Sequence, residues 1–302
     1  MTRVQANALL LLAAVIWGSA FVGQVLGMAG VGPLTFTGVR FLLGALVVLP
    51  LAWRERRTLQ AQGHALGAAE LRWIALLGAL LCTGVVMQQI GLMGTTVTNA
   101  GFLTALYVPL VPLLAWVFQR QAPHWSVWPA AAGCLGGTWL LTGASFGAAS
   151  QLGRGDLWVL ASALPWAVHV LLVGQVANRL RGAYGLACGQ FLVCGVAASA
   201  AGLALEPITL QGLATAAGAI AYTGVLSVGV GFTIQVVGQR HAHPADAAIV
   251  LSSETVFAAL FGALFLGDRL TSAGLLGCGL ILASIVLVQT LPLLRARLAN
   301  PS

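Results

Sequence analysis

The sequence predicts an all-α polytopic membrane protein in which ten transmembrane helices form two inverted five-helix repeats. The first observation behind this prediction is composition: of 302 residues, 59% are hydrophobic and only 7% are charged, whereas a soluble domain has about 25% charged residues. The second is a series of apolar runs of about 18 residues or more, the length that crosses the ~30 Å hydrocarbon core of a bilayer. The third is an internal repeat. Together these observations exclude a soluble globular protein.

The apolar runs are separated by Gly, Pro, Arg or polar clusters. The first run is about 20 residues long, which exceeds the apolar region of a secretory signal and favours a transmembrane helix. One connection is long, at residues 54–70, and the others are tight turns. Asp246, two residues after Pro244, is the predicted N-cap of span 9, and Asn99 is the corresponding cap of span 4. The predicted spans cover residues 7–27, 33–53, 71–94, 98–118, 124–143, 155–177, 183–204, 211–238, 244–266 and 270–291.

Arginine is distributed unequally between the two ends of the spans. Eleven Arg lie at the N-terminus, in the connections that follow even-numbered spans and at the C-terminus. The opposite loops hold only Arg154 and Arg269. Because cytoplasmic loops are enriched in basic residues, we expect both termini in the cytoplasm and the chain in a bacterial inner membrane, surrounded by lipid. The basic residues are scattered and form no patch with interleaved aromatic side chains, which argues against a nucleic-acid partner.

An internal repeat appears when the sequence is aligned with itself at an offset of 147 residues. It divides the chain into a first five-helix repeat at 1–148 and a second at 149–302. Five is an odd number, so the second repeat must cross the membrane in the opposite sense. Inverted repeats are typical of secondary transporters, whose two halves move around a central site. The matched pairs are Gly84 with Gly231, Gln88 with Gln235, Gly91 with Gly238, Asn99 with Asp246, and Phe118 with Phe265.

Small and apolar residues around a few polar ones form short motifs at 98–102 and 107–109 in the first half and at 245–248, 253–255 and 265–271 in the second. On these motifs the whole chain resembles the EamA-type branch of the drug/metabolite transporter superfamily. The first half departs from the family pattern at 119–123, where an acidic turn is expected. Thr255 replaces the usual Pro after Glu254, so whether span 9 is kinked stays open. Pro109 and Pro112 favour a kink in span 4.

The resemblance also implies a function. Within the superfamily, the length and the mid-membrane aromatic residues are similar to exporters of amino acids and metabolites, including the aromatic amino-acid exporters of the YddG type. It therefore implies export of amino acids or similar small metabolites. Composition alone supports only a polytopic transporter.

Three ionisable residues lie at bilayer depth, where each needs a partner or a function. Arg40 lies about 10 Å into span 2 and can bind a substrate carboxylate, or else backbone carbonyls or Glu254. Glu254 lies about 12 Å into span 9 and can bind an ammonium group, exchange a proton or pair with Arg40. His169, near the middle of span 6, is either a proton carrier or a satisfied core residue.

Aromatic and polar residues at similar depth predict a cavity with apolar walls and a few hydrogen-bonding points. Such a lining suits a small zwitterion with a variable, often hydrophobic side chain. Any one of the glutamines can equally be a contact between helices. Together with Arg40, His169 and Glu254, the predicted cavity residues are Trp17, Gln24, Gln88, Gln89, Tyr107, Trp166, Gln190, Ser252 and Ser253.

Other classes of protein are disfavoured by the same sequence. No nucleophile turn, H-E-x-x-H pair or aspartate cluster indicates an enzyme, and the five cysteines lack the spacing of a metal site or disulfide framework. We expect no cofactor and no metal. A site for sugar phosphates needs several cations, whereas Arg40 is the one basic residue predicted within the membrane. The sequence therefore disfavours transport of organophosphates. Hydrophobic organic cations remain an alternative substrate because Glu254 and aromatic rings can bind them. A monomer is sufficient for transport, and the sequence leaves the oligomeric state open.

Overall fold

The computed structural model describes residues 1–120, 122–142, 153–267 and 271–299, and every regular element within these ranges is a helix. Apolar residues fill the interior, and many large apolar side chains are also exposed on the outer surface. The helices are α1 (Arg3–Gly27), α2 (Pro33–Ala61), α3 (Ala68–Leu92), α4 (Val97–Ala105), α5 (Tyr107–Gln119), α6 (Val127–Thr142), α7 (Arg154–Arg179), α8 (Ala183–Leu205), α9 (Leu210–Tyr222), a π-helix (Thr223–Phe232), α10 (Thr233–Gln239), α11 (Pro244–Leu251), α12 (Glu254–Phe265) and α13 (Ser272–Ala299).

The described helices follow the order of the ten predicted spans. Seven helical segments in the described ranges are long and apolar enough to cross a membrane, and Leu103–Phe118 and Ser272–Leu287 are shorter apolar helices. The prediction of an all-α polytopic membrane protein is therefore confirmed. The proposed boundary between residues 148 and 149 and the acidic turn at 268–270 lie outside the described residues.

The second helix is longer than predicted. It continues from the predicted end at residue 53 to Ala61, so half of the expected 54–70 loop is helical. The added segment contains neither Gly nor Pro, and Arg, Glu, Leu and Gln are good helix formers. The helix ends at Ala61, and the chain turns away two residues later at Gly63, whose φ of 80° is readily available only to glycine.

Span 4 is broken between α4 and α5, as its prolines favoured. The break lies at Leu106, one residue before Tyr107 begins α5. Pro109 cannot donate a backbone hydrogen bond to the preceding turn, which weakens the continuous helix at this point.

Span 9 is also broken, although its usual proline is replaced by Thr255. The break lies at Ser252 and Ser253, between α11 and α12. The Ser252 hydroxyl donates to the carbonyl of Ile249 at 2.7 Å, and the Ser253 hydroxyl donates to that of Val250 at 2.7 Å. Such bonds compete with the regular helical ladder and bend it. Span 9 is therefore broken without a proline, at two serines whose hydroxyls bond helical carbonyls.

The two halves pack through equivalent helices. The second helices of the two halves, α2 and α8, contact each other, and so do the fifth helices, α6 and α13. Likewise α7 packs on α3, and α1 packs on the segment from α9 to α10. Each of these contacts therefore has its counterpart in the other half, as expected for two inverted repeats.

Two carboxylates join α2 and α8 at opposite ends. Glu206, just after α8, accepts hydrogen bonds from the backbone N–H groups of Leu34 and Thr35, both at 2.8 Å. Glu55, in α2, accepts from Ala183 at 2.9 Å and Gly185 at 2.8 Å. The first N–H groups of a helix lack partners within the helix and favour negative charge. Each helix of the pair therefore caps the start of the other.

Candidate functional site

A cavity lies between the two halves. Residues from α1 to α5, α7, the π-helix, α10, α11 and α12 line it. Seven of the twelve predicted cavity residues are among them: Trp17, Gln24, Arg40, Gln88, Tyr107, Trp166 and Glu254.

Most of the lining consists of residues at equivalent positions in the two repeats. Twelve of the fifteen lining residues form six such pairs, so the cavity lies where the two repeats meet. The offset of 147 residues pairs Val85 with Phe232, Gln88 with Gln235, Thr104 with Leu251, and Tyr107 with Glu254; an offset of 149 in the first helices pairs Trp17 with Trp166 and Phe21 with Val170.

The two equivalent tryptophans lie over two equivalent glycines. A Cβ atom on Gly231 would lie 2.7 Å from Trp17 Nε1, and one on Gly84 would lie 3.3 Å from the Trp166 ring. A larger residue at Gly231 would therefore force a shift of Trp17 or of the helix, and one at Gly84 would press more mildly on Trp166. Phe232 lies between the rings, with its centroid 4.6 Å from that of Trp17 and 6.0 Å from that of Trp166, to which it is nearly parallel.

Arg40 is almost fully buried and lines the cavity from α2. Its Nη2 donates to Gln89 Oε1 at 3.2 Å, and its Cζ lies 5.4 Å and 5.3 Å from the ring centroids of Phe36 and Phe41. The Nε–H group has no hydrogen-bond partner among the described residues. The guanidinium is therefore held on one side and keeps donors for a further acceptor.

Glu254 faces the same cavity from the first turn of α12. It is buried, and the described residues give its carboxylate no hydrogen bond or ion pair. In particular, no ion pair with Arg40 is formed, so the structural alternative that the sequence left open for these two residues is not realised in the described part of the chain. A basic and an acidic side chain thus line one cavity without forming an ion pair with each other in the described part of the chain.

The other polar lining residues divide into bonded and unbonded groups. Gln88 donates to the Thr104 hydroxyl at 2.8 Å, and the Tyr107 hydroxyl approaches the carbonyl of Ala248 at 3.4 Å. Besides Arg40 Nε, three buried polar atoms on the lining have no partner in the ranges that the structure covers: Gln24 Oε1, Gln235 Oε1 and Trp166 Nε1. Buried polar groups are normally hydrogen-bonded, so these atoms are candidates for contacts with a bound molecule or water.

Five predicted residues lie outside the lining. Gln89 holds Arg40 and donates to the sulfur of Met28 at 2.9 Å, so it supports the site from behind. His169 and Gln190 bond each other at 2.8 Å and are both fully buried.

Ser252 and Ser253 are the other two predicted residues outside the lining. Their hydroxyls turn back to helical carbonyls at the break of span 9. These residues shape the broken helix rather than the cavity surface.

Eight lining residues were missed by sequence reasoning. One signal was available, because the repeat offset carries Gln88 onto Gln235 and Tyr107 onto Glu254. Apolar and small residues give no such signal, since membrane helices are rich in them on every face. The missed residues are Phe21, Val85, Thr104, Val170, Ser227, Phe232, Gln235 and Leu251.

One ion pair joins the repeats away from the cavity. Arg3 Nη2 lies 2.6 Å from Asp246 Oδ2, which links the start of α1 to the first turn of α11. The predicted N-cap role of Asp246 is wrong: His243 occupies that position, and its Nδ1 accepts from the backbone of Ala245 at 3.4 Å. The side chain of Asn99, the other predicted cap, is not described.

Two inverted repeats around a central cavity define a membrane transport protein. The chain belongs to the EamA-like transporter family, which matches residues 5–143 and 153–290, one copy in each half. An uncharacterized transporter of Archaeoglobus fulgidus is 28% identical over 290 residues, which cover 95% of this chain and 86% of that protein. The uncharacterized transporter YwfM of Bacillus subtilis is 24% identical over 290 residues, covering 93% of each chain.

A solved crystal structure has the same fold. Its TM-score is 0.75 at 18% sequence identity, and the match covers 96% of this chain and 99% of that one. The predicted membership of the EamA branch is confirmed, and the family supports a transport role rather than an enzymatic one. The names of the two relatives state no substrate, so the likeness to amino-acid exporters of the YddG type stays a prediction.

Proposed function

We propose that this chain is a secondary transporter that exports amino acids, including aromatic and hydrophobic ones, or similar small metabolites across a bacterial inner membrane by alternating access. One observation carries the proposal: aromatic side chains, Arg40 and Glu254 line the same cavity, and Arg40 and Glu254 form no ion pair with each other within the described residues. An amino acid supplies both countercharges and an apolar group. Such a molecule matches all three features of the lining.

The position of the cavity supports alternating access. Because equivalent residues of both repeats line it, a movement of one repeat against the other opens it toward either side in turn. The positive-inside distribution of Arg supports a cytoplasmic location for both termini. Export is then movement from the Arg-rich side to the opposite side.

A hydrophobic organic cation is the second candidate substrate. Glu254 shares the cavity with Trp17 and Trp166, and aromatic ring faces together with a carboxylate attract cations. Arg40 in the same lining repels a cation that carries no negative group. This repulsion favours the zwitterion.

The test is efflux from proteoliposomes that contain purified protein. They are loaded in separate samples with a panel of labelled amino acids and with labelled tetraphenylphosphonium, and efflux is followed with and without a pH gradient. We expect efflux of aromatic and hydrophobic amino acids. Efflux of the cation without that of any amino acid would support the second candidate, and efflux of neither would contradict both.

Two cavity variants link this transport to the site. Trp17→Ala and Trp166→Ala each remove a large part of the aromatic lining, so we expect efflux to fall by about tenfold or more, as the loss of about 1.5–3 kcal/mol of apolar contact implies. The matched control is Trp158→Ala, because Trp158 lies in α7 with Trp166 but is 44% exposed. Unchanged efflux in both cavity variants would contradict the site.

We further propose that flux runs down the gradient of the substrate itself. A proton path usually contains several ionisable groups, whereas His169 lies outside the cavity lining and is bonded to Gln190. Efflux at equal pH on both sides should therefore persist, and His169→Asn should retain it. Acidification of the medium in step with substrate movement, abolished by Glu254→Gln, would instead establish proton antiport.

A further inference from the structure

The two repeats differ in charge at one pair of equivalent lining positions. The offset of 147 residues places Tyr107 opposite Glu254, and each residue begins the second half of a broken helix, α5 and α12. The Tyr107 hydroxyl approaches a backbone carbonyl of α11. The Glu254 carboxylate has no such partner among the described residues and faces the cavity. The second repeat therefore has an acidic side chain where the first has a tyrosine.

The positive charge is also present in one repeat only. With the offset of 150 residues that relates the starts of α2 and α8, the position equivalent to Arg40 is Gln190. Gln190 is not part of the lining and is bonded to His169. Arg40 comes from the first repeat and Glu254 from the second. Equivalent positions of the two repeats thus supply most of the cavity lining, whereas its basic and its acidic side chain come from different repeats.

We infer that the cavity binds its amino acid in one fixed orientation, with the α-carboxylate at Arg40 and the α-ammonium group at Glu254. This inference rests on the proposed function. The side chain of the substrate then lies against the aromatic residues Trp17, Phe232 and Trp166. Arg40 and Glu254 are the residues that determine specificity, because each contributes a charge that the substrate must match.

The chemistry of the two side chains supports these assignments. Arg40 donates one hydrogen bond to Gln89 and keeps unpaired N–H donors, and a guanidinium binds a carboxylate through charge-assisted bonds. Glu254 is acceptor-only when ionised, as an ammonium group requires. Because a buried charge without a partner is costly, an analogue that lacks either charged group leaves Arg40 or Glu254 uncompensated. The zwitterion also bridges the two repeats, since each charge belongs to a different one.

The test uses three probes with the same aromatic ring: phenylalanine, 2-phenylethylamine, which lacks the carboxylate, and 3-phenylpropionate, which lacks the amine. Each competes with efflux of labelled phenylalanine from proteoliposomes. For the wild-type chain we expect phenylalanine to compete about 10- to 100-fold better than either analogue, the range expected for one hydrogen bond to a charged group. Equal competition by all three probes would overturn the inference.

The variants assign each preference to one residue. In Glu254→Gln we expect the preference for phenylalanine over 3-phenylpropionate to collapse, while the preference over 2-phenylethylamine remains. In Arg40→Gln we expect the opposite loss. Two matched controls should keep both preferences: Asp156→Asn, a buried carboxylate that bonds the Thr95 hydroxyl outside the cavity, and Arg240→Gln, whose guanidinium bonds backbone carbonyls.

Folding and function are separated by two further measurements. Glu254→Asp and Arg40→Lys keep the charges and should retain the order of the three probes. Stabilisation of each variant by the same probes in detergent, measured as a shift in melting temperature, reports binding without transport. If the wild-type chain exports phenylalanine and folded variants keep both preferences, the inference is wrong and the proposed function stands. If the wild-type chain exports no amino acid, the proposed function itself is wrong.

Discussion

The close contact between α1 and α12 at Gly18 predicts a large effect of one methyl group. A Cβ atom on this glycine would lie 2.8 Å from the backbone nitrogen of Ala258 and 2.9 Å from the carbonyl oxygen of Glu254, and it would also meet Phe257 Cβ. Backbone atoms cannot yield without moving α12. Overpacking costs about 1–3 kcal/mol, of which the higher helix propensity of Ala recovers about 0.5–1 kcal/mol. We therefore expect Gly18→Ala to lower the free energy of unfolding by about 1–2 kcal/mol.

The assay is thermal unfolding in detergent, followed by the loss of monodisperse protein on heating. Gly218→Ala is the matched control, because Gly218 is also helical and a Cβ atom there would meet nothing within 4 Å. The control should be as stable as the wild type or slightly more so. Since α12 begins at Glu254, Gly18→Ala should also impair transport. Equal melting temperatures for the two variants would refute the reasoning.

Three further predictions concern a helix cap, an ion pair and the membrane topology. Glu206→Gln weakens the cap at the start of α2 and should cost about 1–2 kcal/mol of stability, measured by the same thermal unfolding; an unchanged melting temperature would contradict the cap. Arg3→Glu breaks the ion pair with Asp246 and should cost about 1 kcal/mol, and adding Asp246→Arg should restore it if the contact is direct. In separate cysteine variants, position 147 should react with an impermeant thiol reagent on intact cells and Gln60 should not, because the Arg distribution places residue 60 inside; the reverse result would invert the topology.

The spans were predictable because a bilayer imposes one strong rule on sequence. A helix that crosses it must be long and apolar, and composition and run length therefore locate the helices. The break in span 4 followed from Pro109 and Pro112. The break at Ser252 and Ser253 did not, because a serine hydroxyl either continues a helix or competes with its hydrogen bonds, and the choice depends on the surrounding packing.

The cavity was only partly predictable because depth in the membrane does not define direction around a helix. Successive residues of an α-helix point about 100° apart, so Gln88 and Gln89 cannot both face one cavity. Gln88 lines it, and Gln89 turns to Arg40. His169 and Gln190 have the right depth, but they are bonded to each other and lie outside the lining. Polar residues at mid-membrane depth therefore include those that support a site as well as those that form it.

The two repeats differ in the structure of their third spans and in the hydrogen bonding of their equivalent tryptophans. The third span of the second repeat contains a π-helical segment, Thr223–Phe232, whereas its counterpart α3 is a regular helix. The wider π-helical turn presents the carbonyl of Ser227 to Trp17 Nε1 at 3.2 Å. Trp166 Nε1 has no equivalent partner among the described residues. One tryptophan is thus fixed by the protein, and the other keeps a donor for a ligand. The repeat makes the central cavity, and these local departures from it, together with Arg40 and Glu254, give the cavity its polarity.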